Sequence, residues 1–187
     1  WSVDAGIRFN SYIISVKDEA IGQARLTPSA LVGNISLLRE IATRINVFAS
    51  VNTGFRAPNI DDLGTLGIVD FRYEVPNYNL KPEQSLQYQL GVKHAGEILK
   101  GEIFIYRNNL TDLVVRNSVP GDSIDGYPVY INENVEDAYI QGFETSWDFR
   151  VNRIFSLNAS YTYTYGQNIT RNEPVRRIPP MFWRFAA

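Results

Sequence analysis

The chain has 187 residues, of which 44% are hydrophobic and 13% aromatic, with a formal net charge of −2 and no cysteine. That length suits one domain or slightly more, the apolar share excludes a disordered chain, and the balanced charge gives no basis for a nucleic-acid partner. Disulfides and thiolate metal sites are excluded, and a single histidine, His94, rules out a histidine-rich metal site within the chain.

Period-two alternation of apolar and polar residues runs through most of the sequence. In Trp1–Asn10, Trp1, Val3, Ala5, Ile7 and Phe9 alternate with small or polar residues. A loop is expected over Lys17–Thr27. A second run follows at Ala30–Leu38, then a tight turn near Arg39–Ala42, then Ile45, Val47, Ala49 and Val51. The stretch Val51–Ser85 joins two strand-like runs through an unusually long connector, and loops of that length are commonly functional. Its Arg-Ala-Pro and Lys-Pro-Glu punctuation points to an ordered segment. Leu86, Tyr88, Leu90 and Val92 form the next run, and a tight turn near His94–Glu97 leads to Leu99–Tyr106. A long loop is expected over Asn108–Glu136, on the turn signals Pro120-Gly121 and Asp125-Gly126. Tyr139–Phe149, a turn at Arg150–Arg153 and Phe155–Tyr165 make a hairpin. After a loop over Gly166–Arg177, the segment Ile178–Trp183 begins a last strand. No stretch has a sustained helical period. The expected class is all-β, with about eight antiparallel strands.

Alternation alone is shared by soluble sandwiches and membrane barrels. Three features favour the barrel. Connections alternate long and short, as they do in barrels with short turns on one side of the membrane and long loops on the other. The runs are about ten residues long, the length of a tilted spanning strand. Aromatics also gather at both ends of the Tyr139–Tyr165 hairpin, as in two interfacial girdles. Charge agrees, since a lipid-facing Arg or Lys at the midplane costs roughly 2–4 kcal/mol. The apolar phase carries none until the strand ends (His94, Arg107), while the other phase holds Asp4, Arg8, Arg44, Lys93, Lys100, Glu102, Glu144 and Asp148. No signal peptide or helical span is evident. The chain begins and stops within strand-like runs, so it reads as a piece of a longer protein.

Gly54-Phe55-Arg56-Ala57-Pro58-Asn59 followed by Asn79-Leu80-Lys81-Pro82-Glu83-Gln84-Ser85 resembles the paired signature of TonB-dependent outer-membrane receptors. Tyr106–Val114, Asn134–Glu144, Leu157–Tyr165 and Pro174–Pro180 continue the resemblance in order over nearly the whole chain. It implies a 22-stranded barrel closed by an N-terminal plug. Residues 1–187 would be a late-middle arc of the C-terminal barrel domain, without the plug, the TonB-binding segment or the last strands. The implied function is TonB-coupled import of an iron carrier captured by long extracellular loops. The implied setting is the outer membrane of a Gram-negative bacterium, and the implied partners are the carrier, TonB and lipid. Arg56–Asp62 and Ile178-Pro179-Pro180 resemble haem and haemoglobin receptors most, yet those place a histidine between the two boxes and residues 60–79 contain none. A ferric siderophore therefore stands beside haem, with vitamin B12 or an oligosaccharide as further cargoes. The rival readings are a passive porin-like channel and a soluble β-sandwich binding module.

Within this frame Arg56, Pro58, Asn59, Leu80, Pro82 and Glu83 are expected to be mainly structural, holding the base of the long loop. A residue before proline avoids the helical region, so Lys81-Pro82-Glu83 should return to the sheet extended. Phe71, Tyr73, Tyr78, Tyr127 and Tyr130 are the candidate ligand contacts, because aromatics offer large apolar area at low entropic cost. Asp61, Asp62, Asp70, Asp112, Asp122 and Asp125 read as solvated loop acids rather than a metal cluster, and His94 sits at a short turn unsuited to a ligand. No cofactor and no nucleophile–base constellation is expected, so the chain does not read as an enzyme.

Overall fold

In the computed structural model, which describes residues 1–18 and 22–187, the alternating runs pair in sequence order as antiparallel strands. The elements are β1 (Ser2–Ser11), β2 (Ile14–Asp18), β3 (Gly22–Leu26), β4 (Ser29–Ala42), β5 (Ile45–Arg56), the helical turn α1 (Ile60–Leu63), β6 (Gly67–Val69) and β7 (Arg72–Val75). They continue with β8 (Glu83–Ala95), β9 (Leu99–Ile124), β10 (Tyr127–Arg150), β11 (Ser156–Asn168), β12 (Glu173–Pro174) and β13 (Phe182–Ala186). Eight of them build one wall in the order β1-β4-β5-β8-β9-β10-β11-β13. The remaining strands sit at the long-connection end.

Register explains the two faces. One row crosses the wall as Val3, Leu37, Ala49, Leu90, Ile105, Phe143 and Tyr163, each paired with the next. The adjacent row is Asp4, Ser36, Ser50, Gln89, Tyr106, Gly142 and Thr164. Successive side chains point to opposite faces, so one face of the wall is continuously apolar and the other polar. Among the described residues no other element covers the apolar face: Leu90 is 50% exposed and Ile105 54%. A soluble sandwich would bury that face against a second sheet. Among the described residues no helix is long and apolar enough to cross a membrane.

Glycines on the wall accommodate aromatic rings from the neighbouring strand. The Phe48 ring lies over its register partner Gly91, where a Cβ would come within 2.5 Å of Cε1. Tyr106 covers Gly142 in the same way, and its hydroxyl reaches Thr164 Oγ1 at 3.2 Å. These rings fill space that a side chain would occupy and fix the register locally.

Four expectations change. The loop expected over Lys17–Thr27 is largely the β2–β3 hairpin, and its centre, 19–21, lies outside the described residues. The tight turn expected at Arg39–Ala42 falls later, at Thr43-Arg44, with Arg44 in the left-handed region (φ 69°). The long loop expected over Asn108–Glu136 is a continuation of β9 and β10 into one tall hairpin. Asp125 and Gly126 close it with φ of 51° and 79°, the two positive values that a twist-matched two-residue hairpin turn requires. Pro120-Gly121 marks a bulge: Ser118 and Ser123 pair with Tyr130 and Pro128, leaving Val119–Asp122 unpaired with β10. Finally, the last strand starts at Phe182 rather than Ile178, because Pro179 and Pro180 have no N–H to give a ladder.

Candidate functional site

The long-connection end of the wall carries a crown of short strands and loops, and its foot is a knot around Arg56. Arg56 ends β5 directly opposite Glu83, which begins β8. Its Nε and Nη2 donate to the two Glu83 carboxylate oxygens, each at 2.6 Å. Its Nη1 and Nη2 donate to Asp62 at 2.6 and 3.3 Å. Only arginine has the planar fork for two such bidentate contacts. The carboxylates are themselves committed. Glu83 Oε1 accepts from Val114 N at 2.9 Å, tying the knot to β9.

Asp62 closes a capping box. Asn59 Oδ1 accepts from Asp62 N and Asp62 Oδ2 accepts from Asn59 N, both at 2.8 Å, which starts the single turn α1. That turn has one purpose in the packing: it seats Leu63, 2% exposed, against Leu26 and Leu80. Tyr78, Val114, Ile14 and Val16 pack around these leucines. Pro58 is buried beside the turn and Pro82 half-buried at the return to the sheet. The motif residues Arg56, Pro58, Asn59, Leu80, Pro82 and Glu83, spread over 28 positions of sequence, thus lie at one place.

Asparagines complete the knot by binding backbone. Asn132 Nδ2 donates to Asp62 O at 2.8 Å, and Asn77 Nδ2 donates to Asn132 O at 2.7 Å. Asn134 accepts from Lys81 N at 2.8 Å and donates to Lys81 O and Asp112 O at 2.9 and 2.7 Å. The bulges near Val135 and Asp137 turn this part of β10 toward the connector.

Two buried carboxylates organise the upper crown. Glu74, 3% exposed, accepts from Arg72 Nε at 2.7 Å and lies 3.1 Å from Arg116 Nε. Burial pushes its pKa up, but the hydrogen bond from Arg72, the charges of Arg116 and Arg72 and a hydrogen bond from the Thr65 backbone together hold it below the ordinary value of 4.5. Through this group β7, which pairs parallel with β10, is also joined to β9. Glu136, 6% exposed, pairs with Arg171 and accepts from Asn168 Nδ2 at 2.6 Å, holding the loop after β11.

The aromatic candidates do not gather into one pocket. Phe71 is 85% exposed at the tip of the β6–β7 hairpin, where Asp70 and Phe71 both have positive φ (44° and 62°). Tyr127 opens β10 beside the tall hairpin's turn. Tyr73 stands opposite Val129 and Tyr130 opposite Glu74, so these two tyrosines lie on opposite faces of the β7–β10 pair. Tyr78 packs into the leucine cluster with its hydroxyl buried. Among the described residues no group of three or more His, Cys, Asp or Glu side chains is placed to hold a metal ion. Glu74, Arg116, Asn132, Asn134 and Glu136 were not singled out from the sequence for this role. The available signal was a string of buried-type polar residues in a stretch read as loop.

The family profile described as "TonB dependent receptor-like, beta-barrel" matches residues 1–186. The vitamin B12 transporter BtuB of Photobacterium profundum is 29% identical over 124 residues, which is 66% of this chain and 19% of that protein. An iron-regulated outer membrane virulence protein of Vibrio cholerae is 26% identical over 147 residues, 71% of this chain and 22% of that protein. The chain therefore spans about a fifth of the length of these relatives. Among solved structures, the copper transporter OprC superposes with a TM-score of 0.75 at 20% identity, covering 98% of this chain and 29% of that one.

Proposed function

The chain belongs to the TonB-dependent receptor β-barrel family, and from that membership we propose that it is an arc of an outer-membrane receptor that imports an iron carrier by TonB-coupled transport. In this reading the apolar face of the wall meets outer-membrane lipid and the polar face looks into the barrel lumen. The short turns are periplasmic and the crown is extracellular. A plug, a TonB-binding segment and further strands belong to the rest of the receptor. The observation that carries the reading is the Arg56 knot, which binds the extracellular crown to a wall with one uncovered apolar face. A passive channel has no need for a crown tied down so firmly, whereas a receptor must present its ligand contacts on a rigid base.

Phe71, Tyr127, Tyr73 and Tyr130 are the proposed ligand contacts, with Phe71 foremost because it stands free at a hairpin tip. Tyr78 is assigned to packing with Leu63 and Leu80. An iron carrier is favoured by the Vibrio relative, whose name records iron regulation, and a ferric siderophore fits the absence of histidine from residues 60–79 better than haem does. The Photobacterium relative supports vitamin B12 as a second cargo. Uptake by the whole receptor in iron-starved cells decides among them, comparing ferric siderophores, haem and cobalamin. Growth on a siderophore that is lost on TonB deletion is the expected result. Growth on haem alone would overturn the siderophore assignment, cobalamin uptake alone would overturn the iron assignment, and cargo entry without TonB would overturn active transport.

A further inference from the structure

Among the described residues two arginines lie in the apolar phase of the wall: Arg39 near the short-turn end, with its Cζ 4.6 Å from the centre of the Trp1 ring, and Arg107 near the crown end, beside a groove. Arg107, on β9, pairs with Tyr88 of β8 and Gln141 of β10, all in the apolar phase. It is exposed on that face, near the crown end of the strand. Three groups hold its guanidinium in place. Nε donates to Asn109 Oδ1 at 3.0 Å, Nη1 donates to Gln141 Oε1 at 3.2 Å, and Cζ lies 3.9 Å from the centre of the Tyr139 ring. Among the described residues no carboxylate pairs with it, and Nη2 has no hydrogen-bond partner. By contrast Arg56, Arg72, Arg116 and Arg171 of the crown each meet an acid. A lipid-facing charge kept rigid and unpaired is costly unless an anion meets it at the interface.

Directly toward the short-turn end, the same side chain borders a groove of about 630 Å³ whose lining is almost wholly apolar. Ala49 forms its floor between the register partners Leu37 and Leu90, with Ile35, Tyr88 and Ile105 as walls. A small residue between large ones leaves room for a chain of methylenes, and the groove leads up to the cation. We propose that this face binds one outer-leaflet lipid with a phosphate headgroup: its phosphate on Arg107 Nη2 and its acyl chain over Ala49. Arginine is suited to phosphate, and the pinned fork loses little freedom on binding. The site rests on the membrane-spanning reading of the wall and is independent of the cargo, so its test reads lipid binding rather than uptake.

The test uses the whole receptor, delipidated in mild detergent, with retained ligand read by native mass spectrometry. The probes are dioleoyl phosphatidate, dioleoylglycerol with the same tails and no phosphate, and inorganic phosphate. The expected result is one tightly held phosphatidate, weakened about tenfold by Arg107→Gln, the size of one charge-assisted contact. Dioleoylglycerol should bind more weakly and be unaffected by that substitution. Ala49→Phe, which fills the groove, should weaken both lipids. Unchanged heat-modifiable mobility reports that each variant keeps its barrel. Equal phosphatidate binding by the native protein and Arg107→Gln would overturn the proposal. So would displacement of phosphatidate by millimolar phosphate, which marks a bare ion site, or indifference to Ala49→Phe.

Discussion

The wall and the crown are held by different physics. In the wall, order comes from backbone ladders and from rows of alternating character, and single side chains matter mainly for the face they present. In the crown, strands are short and few apolar residues are buried: Leu26, Leu63 and Leu80 form the cluster. Order there depends on a small number of polar side chains, each bonded to several partners. A pattern specifies the first region and individual residues the second. The two should therefore fail in different ways.

The largest effect is expected where a charge is placed on the lipid face of the wall. Leu90→Arg should destabilise the whole receptor in lipid by roughly 2–4 kcal/mol, while Gln89→Arg, one residue away on the polar face, should cost far less. Denaturant unfolding in bilayers measures the difference. Similar costs at both positions would erase the distinction between the faces.

Next in size is the knot. Arg56→Ala leaves Asp62 and Glu83, with side chains 17% and 15% exposed, to face each other without a cation. Loss of a partner from a fully buried pair costs about 3–5 kcal/mol, and Arg56 is 46% exposed, so about 2 kcal/mol is the expected cost. The loss should be confined to the crown. Limited proteolysis should cut residues 57–82 readily in Arg56→Ala while the wall keeps its heat-modifiable mobility. Arg56→Lys should recover only part of the protection, because an ammonium cannot serve both carboxylates bidentately.

The smallest effect is a pH dependence. Glu74 has its folded pKa held below the unfolded value, so the unfolded chain takes up its proton first as pH falls. Its contribution is complete above the ordinary glutamate value of 4.5 and is lost as pH falls through the lower folded one. Protection of β6 and β7 against hydrogen exchange, taken relative to the intrinsic rate at each pH, should fall in acid below that range while that of β8 in the wall is unchanged. Glu74→Gln should be less protected at neutral pH and should flatten the acid response.

The same division explains what could be read from the sequence. The eight wall strands follow from period two, because a strand with one apolar face must alternate; the sheet observed has eleven, the other three being the short crown strands β6, β7 and β12. The crown did not follow. Asn108–Glu136 contains Pro120-Gly121 and Asp125-Gly126, which are sound turn signals, yet one marks a bulge and only the other the hairpin tip. Its strands lie above the apolar band and lack the alternation that betrays a wall strand. Nor can local reasoning pair Asn132 with Asp62, 70 residues apart, or Arg116 with Glu74. The paired motif holds Arg56 and Glu83 far apart in sequence, and their register opposition supplies the contact that spacing alone does not disclose.

The central claim is that successive residues of a wall strand face lipid and lumen in turn. It is tested most directly on β8, whose neighbours β5 and β9 are both in place. Single cysteines introduced one at a time from Leu86 to Val92 in the whole receptor can be spin-labelled in bilayers and probed with oxygen and a water-soluble nickel chelate. Labels at 86, 88, 90 and 92 should be oxygen-accessible and nickel-protected, and those at 87, 89 and 91 the reverse. A uniform profile along the strand, or one in the opposite phase, would contradict the membrane-wall account.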